Sequence, residues 1–128
     1  MSDHDGLRAL LQRYARAVDQ RDIEALAELF HPDAEISGSS GKLSLDQWLE
    51  TMRAPRAFPA SMHLIGEPLI TLEEGSDAAS LDTYAVVYQL GDEGSGDLTL
   101  GIRYLDDAER TDGRWVFRRR TSETVWMR

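Results

Sequence analysis

Apolar residues recur three and four positions apart from Asp5 to Asp19, and polar residues occupy most of the positions between them. This period is typical of an amphipathic helix, because 3.6 residues complete one turn. The apolar stripe consists of Leu7, Leu10, Leu11, Tyr14, Ala17 and Val18. The pattern predicts a first helix with one face against the core.

Two shorter helices are predicted in the following forty residues. Asp22 can cap the first of them and Pro32 ends it, whereas Ser44 and Gln47 have the spacing of a capping box that begins the next. A short strand, Ala34–Ser37, is predicted between them. The apolar positions of the two helices are Ile23, Leu26, Ala27 and Phe30, then Leu45, Trp48, Leu49 and Met52.

The second half of the chain consists of long extended segments. Strand-like stretches are predicted over 62–74, 78–90, 98–108 and 114–127, with turns at 91–96 and 111–113. The first stretch is interrupted at Gly66-Glu67-Pro68, since a proline is confined to edge or bulged positions. Because the helices precede the strands instead of alternating with them, the order predicts an α+β fold with segregated layers.

The composition is consistent with one domain over residues 1–128. With 41% hydrophobic residues, a chain of this length buries roughly two-thirds of its unfolded surface, which is enough for one core. It contains no apolar run near the roughly 18 residues of a membrane span, and its acidic start is unlike a signal peptide, so we expect a cytoplasmic protein. The absence of cysteine excludes disulfides and thiolate chemistry.

The formal net charge of -9 argues against nucleic acid and anionic membranes as partners, because both would repel the chain at long range. Basic residues nevertheless crowd the end of the sequence, where Arg114, Arg118, Arg119, Arg120 and Arg128 lie. A solvated strand face whose arginines pair with neighbouring acids is the ordinary explanation of such a cluster.

The chain also carries a series of spaced residue combinations: Tyr14 to Asp22, Leu29-Phe30 with Pro32-Asp33-Ala34, His63, Gly101 to Asp106, Asp112 to Phe117, Arg120 and Trp126. Together they resemble the SnoaL-like family of the NTF2-like superfamily, which has a cystatin-like fold. The resemblance implies a cone in which N-terminal helices pack on a curved mixed or antiparallel sheet. It also implies a pocket for a small apolar molecule between these layers, without a cofactor or a metal.

The same resemblance implies a class of reaction. The superfamily includes dehydratases, isomerases and cyclases as well as non-catalytic modules, and Tyr14, Asp19, His63 and Arg120 resemble the set of its bile-acid dehydratases. In that interpretation His63 is a general base that Asp19 orients, Tyr14 donates to a substrate oxygen, and Arg120 stabilises developing negative charge. The chain would be a cofactor-independent, dehydratase-like lyase or isomerase on a ring-bearing substrate. The alternative is a non-catalytic ligand-binding or assembly module.

Each of these four residues also has a structural interpretation. Tyr14 lies on the apolar stripe of the first helix and could be core, and Asp19 could simply end that helix. A lone histidine in a strand, such as His63, is more often structural. Arg120 belongs to a run of three arginines, in which strand alternation places it on the same face as Arg118.

Five further side chains are candidates for substrate contacts because they could form a lid or pocket wall: Trp48, Met52, Phe58, Met62 and Tyr84. Packing of a helix, a loop and a strand on the core would explain them equally well. Apolar residues on both faces of a strand, as in Ala85 to Tyr88, predict that the outer face of the sheet forms a homodimer.

Tyr14 and Asp19 can belong to one site only under a geometric condition. Five residues correspond to about 500° of an ideal helix, which leaves the two side chains about 140° apart in projection. A regular helix therefore does not place both on one face. We predict that the first helix ends or tightens near Val18, so that Asp19 turns back toward Tyr14.

Overall fold

The computed structural model describes residues 1–94 and 96–128. Its helices are α1 (Asp3–Gln20), α2 (Ile23–Glu28) and α3 (Leu45–Arg53). Its strands are β1 (Phe30–Gly38), β2 (Gly41–Ser44), β3 (Ala60–Ile65), β4 (Leu69–Thr71), β5 (Ala78–Leu90), β6 (Leu98–Thr111) and β7 (Arg114–Met127). The predicted turn at 91–96 includes Ser95, which lies outside the described residues.

The strands form one mixed sheet in the order β2-β1-β7-β6-β5-β3, and β4 also pairs with β5. The β1–β7 pair is parallel, whereas the other pairs in the described chain are antiparallel. Helix α1 contacts both β3 and β7, which are separated by two strands, so the sheet curves around this helix. The predicted α+β architecture, with N-terminal helices on a curved mixed sheet, is confirmed.

Local sequence signals explain how the helices begin. Ser2 accepts a hydrogen bond from the backbone N–H of Asp5 and caps α1. Asp22 caps α2, and Ser44 with Gln47 forms the predicted capping box of α3. The stripe of α1 is buried against the sheet, as the period predicted, and its leucines Leu7, Leu10 and Leu11 are almost fully inaccessible.

The prediction of Phe30 as a helical residue is wrong, because α2 ends at Glu28 and Phe30 begins β1. The backbone N–H of Phe117 donates to the Leu29 carbonyl, which draws the chain into the sheet at this point. Pro32 lies where the β1–β7 register is irregular, consistent with its missing donor. Strand β2 was not predicted, since its four residues carry little alternation. No helix of the described residues is long and apolar enough to cross a membrane.

Candidate functional site

Asp19 lies in the last turn of α1, and its carboxylate accepts three hydrogen bonds from β3. The hydroxyl of Ser61 and the Nδ1 atom of His63 approach Oδ1 at 2.8 and 2.7 Å, and the backbone N–H of His63 donates to Oδ2 at 2.8 Å. An acid at the C-terminal end of a helix opposes the helix dipole. The three donors offset that cost and fix the end of α1 to β3.

His63 faces the interior between α1 and the sheet, with 11% of its side chain exposed. An ionised carboxylate can only accept, so the 2.7 Å contact with Asp19 favours the tautomer with its proton on Nδ1, and the described residues then leave the Nε2 lone pair without a partner. Burial lowers the pKa of His63, the contact with Asp19 opposes this, and the cations of Arg120 and Arg21 add to the lowering. The imidazole is therefore neutral at neutral pH and can accept a proton at Nε2.

The predicted break of the first helix near Val18 is wrong. Helix α1 continues through Asp19 to Gln20, and Arg21 ends it in the left-handed region with φ 54°. Tyr14 and Asp19 nevertheless reach the same histidine, because the sheet curves and brings β3 against the flank of α1 from which Asp19 projects. Curvature of the sheet, and not distortion of the helix, brings the two side chains together.

Tyr14 is buried at the centre of a group of rings. Its ring meets the edge of His63 at a centroid distance of 6.2 Å, and it stacks on Trp48 at 6.3 Å. The remaining rings around it are Phe30, Tyr104 and Phe117. Burial raises the pKa of Tyr14 although the Arg120 cation opposes it, so the phenol stays protonated and can donate a hydrogen bond.

Arg120 is also inside the cone, with about 1% exposure. Its Nε and Nη2 atoms donate to the two carboxylate oxygens of Asp106 at 2.7 and 2.9 Å. The guanidinium lies 4.0 to 4.3 Å from the ring centroids of Tyr104, Tyr14 and Phe117. Burial disfavours its charge, but Asp106 outweighs this and raises the pKa of Arg120, so the group is a permanent cation.

A bulge sets the direction in which Arg120 points. The β6–β7 register shifts where Phe117 pairs with Ala108 and Arg119 pairs with Asp107, so Arg118 is the extra residue. Phe117 and Arg120 therefore share the inner face although they are three residues apart. Simple alternation, which grouped Arg118 with Arg120, does not hold across this bulge.

Three of the five predicted substrate-contact residues lie on α3 or in the loop that follows it. Trp48 contacts Tyr14 and Phe30, and the Met52 carbonyl and sulfur accept from Arg21 at 3.3 Å. Phe58 is partly buried in the loop between α3 and β3. Their contact with a substrate remains a prediction.

Met62 and Tyr84 do not belong to this interior. Strand β3 exposes alternate residues, so Met62 points to the outer face while His63 points inward. Met62 is 52% exposed and Tyr84 is 65% exposed, and both project from the convex side of the sheet. The prediction that these two side chains line the pocket is wrong for this reason.

A cavity of about 200 Å³ adjoins the ring group. It is lined by the inner-face residues Ile36 and Ser122, by Trp48 and Thr51 of α3, and by the β1–β2 turn. Since Trp48 also stacks on Tyr14, its indole lies between this cavity and Tyr14. A larger cavity of about 570 Å³, near Ser2 and Trp115, contains none of the predicted site residues.

Two site residues, Ser61 and Asp106, had been given no role from the sequence. Ser61 is two positions before His63 and therefore shares its face, which alternation alone could have indicated. Asp106 is two positions after Tyr104 on the buried face of β6, and a carboxylate in that position requires a cationic partner. No group of three or more metal-binding side chains is assembled within the described residues.

The comparisons with known proteins agree with this architecture. The chain is 29% identical to the uncharacterized protein Rv2910c of Mycobacterium tuberculosis, over all of this chain and 89% of that protein. A provisionally assigned scytalone dehydratase from Novosphingobium aromaticivorans superposes with a TM-score of 0.87 at 21% identity, covering 100% of this chain and 91% of that one. The hexachlorocyclohexane dehydrochlorinase LinA-type3 from Novosphingobium barchaimii gives a TM-score of 0.81 at 18% identity, with coverage of 97% and 87%.

Because both solved structures have low sequence identity to this chain, their superposition establishes a shared fold alone. The family rests on the sequence itself, because the model of the SnoaL-like domain matches residues 1–121, nearly the whole chain. This match agrees with the combinations around Tyr14, Asp19 and Arg120 from which the resemblance was inferred. The protein is a member of the SnoaL-like domain family, with the cystatin-like fold of the NTF2-like superfamily.

Proposed function

We propose that this protein is a cofactor-independent lyase or isomerase that removes a carbon-bound proton from a small, mostly apolar, ring-bearing substrate. The observation that carries the proposal is the 2.7 Å contact between Asp19 and His63 Nδ1, which leaves Nε2 as a base in a sheltered interior. Membership of the SnoaL-like family and structural neighbours named as a dehydratase and a dehydrochlorinase support this class of reaction.

Each polar group of the candidate site has one role in the proposed reaction. Nε2 of His63 takes the proton next to a carbonyl or leaving group, and the carbon–hydrogen electron pair moves toward that group. Tyr14 donates a hydrogen bond to the oxygen that gains charge, and the Arg120 cation stabilises the same charge. In a dehydration the leaving hydroxide receives the proton, so that water and an unsaturated product result and no cofactor is consumed. Asp19 stabilises the imidazolium that forms.

Turnover of cyclic β-hydroxyketones and cyclic unsaturated ketones in deuterated water tests this proposal. We expect dehydration or double-bond migration without added cofactor. Substrate recovered before the reaction is complete should carry deuterium at the carbon next to the carbonyl, read by proton NMR, because the base removes that proton reversibly. A neutral pH is required, because protonation of His63 abolishes the base. Failure of every substrate to react or to exchange a proton above the rate in buffer would contradict the assignment.

The ring group favours a second candidate, a non-catalytic ligand-binding module. Trp48 stacks on Tyr14 and packs at 5.2 Å from Phe30, so that aromatic rings occupy the space beside Tyr14. In a module the cavity beside Trp48 would hold a ligand and His63 would only fix β3 to α1. The same NMR experiment distinguishes the two, since a module shifts ligand resonances without exchanging a carbon-bound proton.

We further propose that the protein is a homodimer through the outer face of its sheet. The outer patch consists of Met62, Leu64, Tyr84, Tyr88 and Trp126, each more than a third exposed. The pairing of Met62 with Tyr88 places side chains of β3 and β5 on one side of the sheet. The Trp126 indole lies over Gly101, where a methyl group would collide with it. Patches of exposed apolar surface of this kind mark interaction sites.

Light scattering is expected to give twice the chain mass of 14.4 kDa. The variant Leu64→Glu places a charge in the outer patch and should shift the mass toward the monomer, whereas Lys42→Glu on β2, outside the patch, should not. A wild-type mass near 14.4 kDa at high protein concentration contradicts the dimer. The cytoplasmic location expected from the sequence stays a prediction.

A further inference from the structure

Two arginines flank the Asp19–His63 pair and have no part in the reaction described above. Arg21 ends α1 two residues after Asp19, and its Nη1 donates to the carbonyl and sulfur of Met52 at 3.3 Å. Arg56 lies in the loop before β3, and its Nη2 donates to the Ser61 hydroxyl at 3.2 Å. Because Ser61 in turn donates to Asp19, the Arg56 guanidinium is one hydroxyl away from that carboxylate. Arg21 is close enough for both Arg56 and Asp19 to influence its charge.

Much of the hydrogen-bonding capacity of these arginines is unused. A guanidinium has five N–H donors, and within the described residues the Nε atoms of Arg21 and Arg56 are shielded from solvent without an acceptor. Neither arginine forms an ion pair with a carboxylate of the described chain, although the sequence has 23 acidic and 14 basic residues. An unmatched buried donor costs free energy, so its retention indicates an acceptor that the chain itself does not supply.

The electrostatic surroundings of Arg21 also indicate a missing anionic partner. Burial lowers the pKa of Arg21, and repulsion from Arg56 lowers it further, while Asp19 only partly compensates. Asp19 already accepts from Ser61 and twice from His63. Arg21 also has φ 54°, a left-handed conformation that disfavours a residue with a Cβ atom. A chain with a net charge of -9 thus concentrates unbalanced positive charge at one point, next to its candidate base.

We propose that Arg21 and Arg56 form a carboxylate-binding subsite, and that the substrate is a ring-bearing carboxylic acid whose acid group binds there while His63 acts on the ring. A carboxylate has two oxygens, each of which accepts a charge-assisted hydrogen bond, so that one oxygen can pair with each arginine. The inference deepens the proposed function by naming the substrate class. The subsite itself binds without any chemical step, so the two claims can fail separately.

Titration with benzoate, and with benzamide as its uncharged analogue, tests the subsite by isothermal calorimetry and by NMR of the labelled protein. We expect saturable benzoate binding in the millimolar range or tighter and much weaker binding of benzamide. Arg21→Gln and Arg56→Gln should each weaken benzoate binding by about tenfold, since each removes a charge-assisted contact. Resonances of Ser61 and His63 should shift on benzoate addition.

Arg16→Gln is the matched control, because it removes the same unit of charge from the same helix. Arg16 is exposed, and within the described residues its side chain bonds only to Gln12. The variant should bind benzoate as the wild type does. Equal affinity for benzoate and benzamide, an equal loss in Arg16→Gln, or no saturable binding overturns the subsite. Benzoate binding without turnover of any substrate would uphold the subsite and reject the catalytic proposal, whereas turnover of neutral ketones without benzoate binding would do the reverse.

Discussion

Replacement of His63 by alanine is expected to lower turnover in the deuterium assay by about 10²-fold or more, because the general base is lost. The folded state should survive, since the side chain contributes hydrogen bonds to Asp19 and little apolar packing. Asp19→Asn should lower the same rate while circular dichroism stays unchanged, because an amide cannot stabilise the imidazolium that forms.

His31→Ala is the control for the His63 variant. His31 lies in the same sheet on β1 and accepts from the backbone N–H of Asp33, away from the candidate site. Its variant should keep wild-type turnover. Wild-type turnover in His63→Ala would remove the histidine from the mechanism, and loss of the folded state would show that its contact with α1 is structural.

Asp106→Ala is expected to destabilise the protein by about 3 to 5 kcal/mol, the range found when one partner of a buried ion pair is removed. The variant leaves the Arg120 cation inside the cone, where its only carboxylate partner among the described residues is gone. Chemical denaturation measures the loss, as a lower midpoint with an unchanged slope.

Asp82→Ala provides a closely matched control, because Asp82 and Arg103 form the same two-bond arrangement across β5 and β6. That pair lies on the outer face and is partly exposed, so its loss should change the midpoint far less. Equal losses in Asp82→Ala and Asp106→Ala would contradict the account of the buried pair.

The double variant Asp106→Leu with Arg120→Met separates stability from function. Replacing a buried pair by apolar residues of similar size is often neutral for stability. We therefore expect the double variant to regain most of the stability that Asp106→Ala loses, yet to remain poor in turnover because the Arg120 cation is absent. Such a result would indicate that the pair is retained for the reaction.

The parts of the fold that could be predicted from the sequence are those set by local signals. The stripe from Leu7 to Val18 and the caps at Asp22 and Ser44 depend on residues a few positions apart, and the structure confirms them. Phe30 was misplaced because a β7 backbone donor, distant in the sequence, ends the helix. The apolar spacing of a helix can therefore extend to a residue that already belongs to a strand.

The candidate site depends on contacts that no local pattern contains. Asp19 meets His63 because the sheet curves around α1, and the Arg120 direction depends on a bulge opposite Asp107. The misplacement of Met62 was avoidable, because alternation along β3 places Met62 and His63 on opposite faces. The pairing of Asp106 with Arg120 could not be predicted, since strand order and register decide which acid lies opposite the arginine.

The nitrogen-15 NMR spectrum of His63 tests the central claim most directly, because it reports the tautomer and the pKa of the proposed base without a substrate. We expect a proton on Nδ1 and a free lone pair on Nε2 at neutral pH, with a titration midpoint below the ordinary 6.5. Asp19→Asn should lower the midpoint further, since Asp19 raises the pKa. A ring protonated on Nε2, or one that remains cationic above pH 6.5, would contradict the assignment of His63 as the general base.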